Sequence, residues 1–416
     1  MTTFNELYRK LIIDTIEKIS TEEQEKKYRD HYDSNQLDCL LHPEKHAYVW
    51  RLGECTCSPE DQNSCANVCP FDAMQAQPSG NIEINKSKCV GCSACIHHCT
   101  LEKLTASRDI IPALKAIQNN TGLSYALVAP AFLGQFNNDV TPGKLRNALK
   151  KMGFDGMIEV SLFADILTLK EALEFNHNIT GETDFQLASC CCPIWIAMIR
   201  KIYHELLPHV PGAVSPMVAA GRTIKQLHPD AKTIFIGPCI AKKAEAKEVD
   251  LVGAIDYVLT FQEIQSIFET MDIDPALMDE SDKDHSSRAG RIYARAGGVS
   301  EAVQETVKRI DPNHTISIRT QQADGVAACK AMINELLAGN TKANFFEGMG
   351  CVGGCVGGPK ALIDRSQGRE HVNDYGDLAL CKTPIDNPYV IELLHRLGLD
   401  TIESLLEDSE IFTRHF

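Results

Sequence analysis

The sequence predicts an α/β protein in which helices cover parallel sheets, preceded by a small region rich in cysteine. From about residue 106 onward, apolar runs rich in β-branched residues alternate with helical segments, which is the pattern of strands buried on both faces. The chain has 416 residues, 44% of them hydrophobic, which suffices for two or three domains. Its 17 cysteines are strongly clustered. In a reducing compartment, clustered thiols indicate metal ligands before disulfides.

Cysteine content and the pattern of apolar residues change along the chain and divide it into three regions. Residues 1–50 are predicted to be a helical N-terminal extension, because Leu7, Leu11 and Ile16 recur at helical spacing. Residues 51–105 are rich in cysteine and poor in periodicity, so we expect metal to take the place of a hydrophobic core there. Residues 106–416 form the α/β region, including a helical C-terminal segment.

Within the α/β region, apolar runs predict the strands and periodic segments predict the helices. The strands are expected at 125–131, 156–160, 233–237 and 254–260. The helices are expected at 143–151, 168–176, 194–206, 262–270, 299–309 and 325–338. Two further helices are expected in the C-terminal segment, at 387–397 and 401–411.

Charge and hydropathy exclude several kinds of partner. The formal charge of −15 argues against nucleic acid and anionic membranes, which both select basic surfaces. No run approaches the roughly 18–20 apolar residues of a membrane span. The first residues are polar and acidic where a signal peptide is apolar. We therefore expect a cytoplasmic protein without a membrane or nucleic-acid partner.

The cysteines of the N-terminal part predict two iron–sulfur clusters. Cys89, Cys92, Cys95 and Cys99 have the spacing that bacterial ferredoxins use for 4Fe–4S clusters, in which the fourth cysteine crosses to the other cluster. The partner run is less regular and consists of Cys55, Cys57, Cys65 and Cys69. Crossing predicts one cluster on Cys55, Cys57, Cys65 and Cys99, and another on Cys69, Cys89, Cys92 and Cys95. Cys39 is either a spare thiol or, with His42 or His46 nearby, a ligand.

Three further cysteine motifs lie in the α/β region. The first is Ala188–Trp195 with three consecutive cysteines, the second is Ile236–Glu245 with Cys239, and the third is the glycine-rich loop Phe346–Pro359 with Cys351 and Cys355. Each motif places thiols where a strand or loop ends and a helix can begin. Backbone amides and the positive helix end stabilise an anionic cluster there, and glycines allow the backbone to approach it closely.

These three motifs resemble the signature motifs of the FeFe-hydrogenases (iron-only hydrogenases), and the similarity covers about residues 106–365. The resemblance implies a catalytic core of two parallel-type sheet lobes flanked by helices, with the metal cluster between them, plus a small ferredoxin-like α+β iron–sulfur domain. In that family the H-cluster joins a 4Fe–4S cubane to a di-iron unit that carries CO, cyanide and a bridging azadithiolate. The implied activity is reversible H2 oxidation and proton reduction. The implied partners are H2, protons, a ferredoxin-like electron carrier and dedicated maturation proteins.

The resemblance also implies roles for individual residues. The cubane ligands would be Cys192, Cys239, Cys351 and Cys355, of which Cys355 would bridge to the di-iron unit. Cys191 would relay protons to the azadithiolate amine, and Lys242 would contact a cyanide. The surroundings of the cluster would be formed by Ala129, Pro130, Ala131, Pro238, Met217 and Met349. Glu245 would hydrogen-bond near the cluster or cap a helix.

The chain departs from the family's pattern near the proton pathway. Ala188 replaces a threonine, and Cys190 is an added cysteine, so we count back from Pro193 to assign the ligand and the relay. Cys190 is then either a spare thiol or a group that shields the site. The two glutamates of the family's pathway fall on Glu171 and Glu174, for which a solvated helix face is the alternative interpretation.

Other positions of the family's pattern are changed outright. The serine between the glutamates falls on Pro211, and the arginine at the surface falls near Asn178. Near the cyanides, Gly237 replaces a methionine and Met217 replaces a glutamine. Cys329 and Cys381 are expected to be ordinary buried thiols.

Two alternatives to the enzyme remain at this point. Eukaryotic Nar-type iron–sulfur assembly factors resemble this chain in fold but typically lack the relay cysteine and the cyanide-binding lysine, which match Cys191 and Lys242 here. An H2-sensing protein of low activity is the other alternative. Sensory members often carry an added C-terminal domain, and only a short segment follows Pro359 in this chain.

Overall fold

The computed structural model describes residues 3–281, 283, 285–407 and 409–416. The helices are α1 Thr3–Ile16, α2 Thr21–Tyr28, α3 Ser34–Leu41, α4 Pro59–Asn67, α5 Ala94–His98, α6 Ile110–Asn119, α7 Pro142–Met152, α8 Ser161–Asn178, α9 Pro193–Lys201, α10 Pro216–Leu227, α11 Ala241–Glu245, α12 Phe261–Thr270, α13 Arg288–Ile292, α14 Gly298–Ile310, α15 Val326–Leu337, α16 Arg365–Asp377 and α17 Pro388–Arg396. The strands are β1 Val49–Arg51, β2 Met74–Ala76, β3 Ile82–Ile84, β4 Leu104–Ala106, β5 Ser124–Val128, β6 Gly156–Glu159, β7 Gln186–Leu187, β8 Lys232–Gly237, β9 Tyr257–Thr260, β10 Thr320–Asp324 and β11 Phe345–Met349.

The four predicted strands form one parallel sheet in the order β6-β5-β8-β9. Most of the residues of β5, β8 and β9 are buried, as helices on both faces require, whereas the edge strand β6 buries only Met157. The predicted strands are therefore confirmed, with ends shifted by a few residues. The predicted parallel α/β architecture of this lobe is confirmed with them.

A second parallel sheet has the order β10-β11-β7. Part of the third cysteine motif lies in it, because β11 covers Phe345–Met349. The prediction that the whole of Phe346–Pro359 is a loop is therefore wrong for its first residues. Strand β10 consists of Thr-Gln-Gln-Ala-Asp, which has no apolar run by which to find it.

The carboxyl ends of both sheets carry the cysteine motifs. Strand β8 of the first sheet leads into Cys239, while β7 and β11 of the second sheet lead into Cys192 and Cys351. Ligands of open α/β sheets bind at the carboxyl ends of the strands, where loops and helix N-termini meet. The two sheets thus bring three separate motifs to one place between the lobes.

The cysteine-rich region is built from two antiparallel strand pairs, β1 with β4 and β2 with β3. Val49, Met74, Ile82 and Leu104 are buried together inside it. The expectation that metal replaces the core is therefore too strong, because a small apolar core exists beside the cysteines. The pair β1–β4 joins the first and last residues of this region, so the chain enters and leaves it at one side.

The N-terminal helices pack against the α/β region. Leu7 and Leu11 of α1 are fully buried in the main hydrophobic core. The guanidinium of Arg108 lies 4.2 Å from the ring centroid of Tyr8, a cation–π contact that fixes α1 near the start of the α/β region. Helix α2 begins with a capping box of Ser20 and Glu23.

The C-terminal segment differs from its prediction in one part. Helix α17 corresponds to the helix expected at 387–397, but the helix expected at 401–411 is wrong, because only a 3₁₀ turn at Ile402–Leu406 forms there. Further along, Thr413 forms an isolated antiparallel bridge with Ala213. Phe412 is buried, and Arg414 pairs with Asp250.

Asp165 ties α8 to α13 and to the C-terminal segment. Its carboxylate accepts hydrogen bonds from the backbone amide of Ser287 at 2.6 Å, the amide of Gly290 at 2.8 Å and the side chain of Asn387 at 3.2 Å.

Asp165→Asn places an amide nitrogen against these donors, so we expect the free energy of unfolding to fall by about 3 kcal/mol. Chemical denaturation measures this loss. Asp364→Asn, at an exposed helix N-cap, should be nearly neutral because Asn caps equally well; equal losses in both variants would contradict the expectation.

Candidate metal centre

The thiols of the three downstream motifs are grouped where the two sheets meet. Cys192 is the N-cap of α9, Cys239 precedes α11, Cys351 follows β11, and Cys355 begins a 3₁₀ turn. Burial, followed by the charges of neighbouring cysteines, raises the pKa of Cys239 to about 11 and that of Cys355 to about 12. The same causes raise the pKa of Cys351 well above its usual value. A buried group of thiols becomes a group of thiolates only when bound metal compensates the charge.

The backbone around these thiols is fitted closely. The amide of Gly350 donates to Cys192 Sγ at 3.2 Å, which joins the first motif to the third. A Cβ atom at Gly348 would lie 2.2 Å from the Trp195 ring, and one at Gly350 would lie 2.5 Å from Ile194. The glycines of the third motif are therefore required because this segment packs directly on α9.

The donor set suits a cluster better than a single ion. Among the residues that the structure describes, no three His, Cys, Asp or Glu side chains are arranged to hold one metal ion. A cubane takes one thiolate at each iron, so its ligands stand apart around a bulky group. Four buried or half-buried thiols on three segments, with glycines between them, fit that requirement.

Cys191 and Lys242 lie beside this group. Burial raises the pKa of Cys191 well above its usual value, with Cys355 and Cys192 adding to the effect and Lys242 opposing it. Lys242 Nζ donates to Glu245 Oε2 at 2.7 Å, and both side chains are buried. Of the two roles considered for Glu245, the structure therefore favours a hydrogen bond near the cluster.

The other predicted pocket residues are mostly buried. Ala129, Ala131, Met217, Pro238 and Met349 are buried, and Pro130 is half-buried. A Cβ atom at Gly237 would lie 3.0 Å from Ala129 Cβ, and one at Gly358 would lie 2.8 Å from Pro238 Cβ. Ala129 and Pro238 are therefore packed closely against glycines of the second and third motifs.

Glu171 and Glu174 are buried on α8, with exposures of 2% and 9%. The alternative that they form a solvated helix face is wrong. Burial, then the charges of Glu174 and Glu347, raises the pKa of Glu171 well above its usual value, while a hydrogen bond with Cys190 opposes this. Cys190 Sγ also donates to the carbonyl of Pro211 at 3.7 Å. The added cysteine thus lies between the first glutamate and the proline.

Lys170 is a buried residue that the sequence interpretation missed. Its Nζ lies 3.1 Å from Glu174 Oε1 and donates to the carbonyl of Leu405 at 2.7 Å. The spacing of four residues between Lys170 and Glu174 is the signal by which this pair could have been found. The sequence alone does not indicate that this pair is buried, because charged residues on a helix such as α8 usually face solvent.

The structure brings the N-terminal cysteines together in two groups. Cys69, Cys89, Cys92 and Cys95 form the first, where burial and neighbouring thiols raise the pKa of Cys92 to about 11 and of Cys95 to about 12. Cys55, Cys57, Cys65 and Cys99 line a small cavity with Ile82 and Leu104 and form the second. These are the same two sets that crossing of the fourth cysteines predicts.

The first of these groups lies against the second downstream motif. Gly91, between Cys89 and Cys92, has a φ of +69°, and a Cβ atom there would lie 3.1 Å from Ile240, the residue after Cys239. The charge of Cys92 also contributes to the pKa of Cys351. These two groups of thiols are therefore neighbours in the fold.

The remaining cysteines are not members of these groups, although Cys329 lies near Cys192. Cys39 is buried in the main hydrophobic core, and burial raises its pKa to about 12. His46 hydrogen-bonds to Asp38 at 2.7 Å, so the structure favours the spare-thiol interpretation of Cys39. Cys329 is buried as expected and donates to the carbonyl of Met349 at 3.4 Å. Cys381 donates to the carbonyl of Asp386 at 3.2 Å but is only half-buried, so the expectation of a buried thiol is wrong for it.

Comparison with known proteins defines the class of protein. The family model described as "Iron only hydrogenase large subunit, C-terminal domain" matches residues 123–359, more than half of the chain. The chain therefore belongs to the iron-only hydrogenase family. The match spans all three downstream motifs and both parallel sheets.

Individual relatives refine the comparison. Iron hydrogenase 1 of Clostridium pasteurianum is 29% identical over 63% of this chain and 52% of its own length. A subunit of the NADP-reducing hydrogenase of Solidesulfovibrio fructosivorans is 26% identical over 78% of this chain and 66% of its own length. The chain thus spans between half and two thirds of these relatives. A cytosolic Fe–S cluster assembly factor of Schizosaccharomyces japonicus is 26% identical over 50% of this chain and 47% of its own length.

The fold is shared with solved structures. A variant of the [FeFe]-hydrogenase of Chlamydomonas reinhardtii superposes with a TM-score of 0.62 at 20% identity, covering 74% of this chain and 98% of that one. Helices of the described residues are all too short or too polar to cross a membrane.

Proposed function

We propose that this chain is an FeFe-hydrogenase that catalyses reversible H2 oxidation and proton reduction at an H-cluster. One observation carries the proposal: the cubane-type thiols Cys192, Cys239, Cys351 and Cys355 are grouped with a relay thiol, Cys191, and a buried ammonium, Lys242. Thiols alone would suit an electron-transfer cluster. The additional thiol of Cys191 and the ammonium of Lys242 suit a site at which protons react.

Each residue has a function that its position supports. When bound, the H-cluster supplies an electrophilic iron and an adjacent base for the heterolytic cleavage of H2. Lys242, held by Glu245, donates a hydrogen bond to an anionic ligand such as cyanide. The buried apolar residues around Ala129 and Met349 exclude water from the site. Cys191 carries a proton between the site and the acids of α8.

The N-terminal cysteines supply the electron route in this proposal. Cys69, Cys89, Cys92 and Cys95 hold one 4Fe–4S cluster next to the catalytic site, and Cys55, Cys57, Cys65 and Cys99 hold a second one. A ferredoxin-like carrier exchanges electrons with them. Maturation proteins insert the di-iron unit.

H2 turnover tests this proposal. The purified chain, with its iron–sulfur clusters reconstituted and the di-iron unit inserted, should evolve H2 from a reduced viologen and consume H2 with an oxidised one. The Cys355→Ala variant, treated in the same way, should do neither. If the unsubstituted chain shows no turnover while a parallel sample of a known hydrogenase is activated, the proposed enzyme is wrong.

An assembly factor is the second candidate, because relatives of that kind match about half of the chain. Retention of Cys191 and Lys242 argues against it. An assembly factor would keep its iron–sulfur clusters and bind other proteins of cluster assembly, and it would show no H2 turnover after competent maturation. The assay above therefore separates the two candidates.

Lys242→Met should reduce retention of the di-iron unit by roughly ten- to a hundredfold, because outer-shell donors commonly affect metal binding to that extent. Infrared absorption of CO and cyanide, normalised to the iron of the cubane, measures the retention. The adjacent Lys243 is a matched control, since it is equally buried but pairs with Glu263 and the carbonyl of Ser107. Equal retention in Lys242→Met and Lys243→Met would contradict the role of Lys242.

A further inference from the structure

A buried ion pair stands at the outer end of the acid pair of α8. The side chains of Lys170 and Glu174 are only 3% and 11% exposed, and they are four residues apart on the helix. Lys170 Nζ contacts both Glu174 Oε1 and the carbonyl of Leu405 in the C-terminal 3₁₀ turn. The ammonium is thus fixed between the helix and the C-terminal segment.

Such a pair is not explained by stability alone. Taking two charges out of water is costly, and apolar residues of the same size often stabilise a protein equally well. Each of the two glutamates also has one carboxylate oxygen without a hydrogen-bond donor. Among the described residues, none donates a hydrogen bond to Oε2 of Glu171 or to Oε2 of Glu174.

Glu171 has mainly negatively charged neighbours, whereas Glu174 has a positively charged neighbour, Lys170. Glu174 and Glu347 add negative charge beside Glu171, and burial raises the pKa of Glu171 well above its usual value. Burial also raises the pKa of Glu174, but Lys170 opposes that rise. Cys190 and Glu171 are also titratable groups near Glu174, and the Leu405 carbonyl accepts a hydrogen bond from the ammonium. The inner acid therefore holds its proton more tightly than the outer one.

We propose that Lys170 is a positioning residue for proton transfer, which holds Glu174 as an ionised acceptor at the outer end of the pair Glu171–Glu174. This proposal rests on the proposed hydrogenase function. In H2 oxidation a proton on the carboxyl of Glu171 passes to the carboxylate of Glu174 and from there to water. In proton reduction the same steps run in reverse. This route follows α8 and does not require a hydroxyl at Pro211.

A pH titration tests the ion pair without H2 turnover. In the full chain with iron–sulfur clusters but no di-iron unit, the carboxylic C=O stretch of Glu174 is identified as the infrared band lost in Glu174→Gln. Removing the cation in Lys170→Met should move the midpoint of this band to higher pH by at least about one pH unit, whereas Lys170→Arg should leave it nearly unchanged. An unchanged midpoint in Lys170→Met would overturn the proposal.

Kinetics of the loaded enzyme provide the second test. A higher pKa of Glu174 leaves fewer ionised acceptors, so Lys170→Met should slow H2 oxidation roughly tenfold at neutral pH and move its acid limb to higher pH, with KM for H2 unchanged. Lys170→Arg should restore both, and Lys243→Met, which removes another buried ion pair, should retain the original pH profile. If the pH profile of H2 oxidation in Lys170→Met is unshifted, Lys170 has only a structural role and the proposal is overturned.

The two tests separate this inference from the proposed function. If the matured chain shows no H2 turnover, the hydrogenase proposal fails, and with it the functional role of Lys170. The infrared midpoint would still report whether Lys170 holds Glu174 ionised. If the matured chain shows normal H2 turnover and the midpoint of the Glu174 band does not move in Lys170→Met, only the Lys170 proposal is wrong.

Discussion

Cys191→Ala should lower H2 turnover by roughly a hundredfold to ten-thousandfold, the range typical of lost proton-transfer groups. The charges of Cys355, Lys242 and Glu171 all act on the pKa of this thiol, so it lies near both the metal site and the buried acids. Alanine removes the exchangeable proton without removing a proposed cubane ligand. The iron content and the CO and cyanide bands should therefore remain.

The neighbouring cysteines provide the controls for this experiment. Cys190→Ala should slow turnover less than Cys191→Ala, because Cys190 faces Glu171 and Pro211 and not the metal site. Cys329→Ala removes another buried thiol and should leave turnover unchanged. If Cys191→Ala retained full turnover while Cys190→Ala lost it, the assignment counted back from Pro193 would be wrong by one residue.

Cys239→Ser should remove the cubane of the catalytic site. A chain with three 4Fe–4S clusters holds about twelve iron atoms, so the loss of one cluster leaves about eight. Serine keeps the size of the side chain but is a poor ligand for iron–sulfur clusters. The site is built from three motifs, and the Cys239 thiol lies among the cysteines of the other two, so a single lost ligand leaves an uncompensated group of thiols.

Iron analysis and electron paramagnetic resonance of the reduced protein measure this loss. Cys329→Ser is the matched control, since its thiol is also buried near the third motif but donates to the backbone. The two N-terminal clusters should remain in Cys239→Ser, because their cysteines lie on other segments. Twelve iron atoms in both variants would remove Cys239 from the ligand set.

The first sheet could be predicted because its strands are apolar runs buried on both faces. The second sheet could not, since β7 has two residues and β10 is a polar strand that pairing with β11 holds in place. The C-terminal turn at Ile402–Leu406 was predicted as a helix because its leucines and isoleucines suit one. In the structure this segment lies against α8, with Leu405 buried and its carbonyl bound to Lys170.

The site was more predictable than its surroundings. Cysteine spacing follows directly from the geometry of a cubane, so the groups of thiols in the structure match the sets expected from the sequence. The burial of Glu171, Glu174 and Lys170 was not accessible in this way, because charged residues three and four apart on a helix suit solvent equally well. Only the packing of the C-terminal segment over α8 decides between these possibilities.

The central claim is that the four thiols of the three motifs hold an H-cluster beside Cys191 and Lys242. Infrared spectroscopy of the fully matured chain tests it most directly, because CO and cyanide on iron absorb where protein does not. The account predicts CO and cyanide bands that shift when H2 is admitted and that are absent from Cys355→Ala. A matured sample without these bands, prepared beside a known hydrogenase that shows them, would contradict the account.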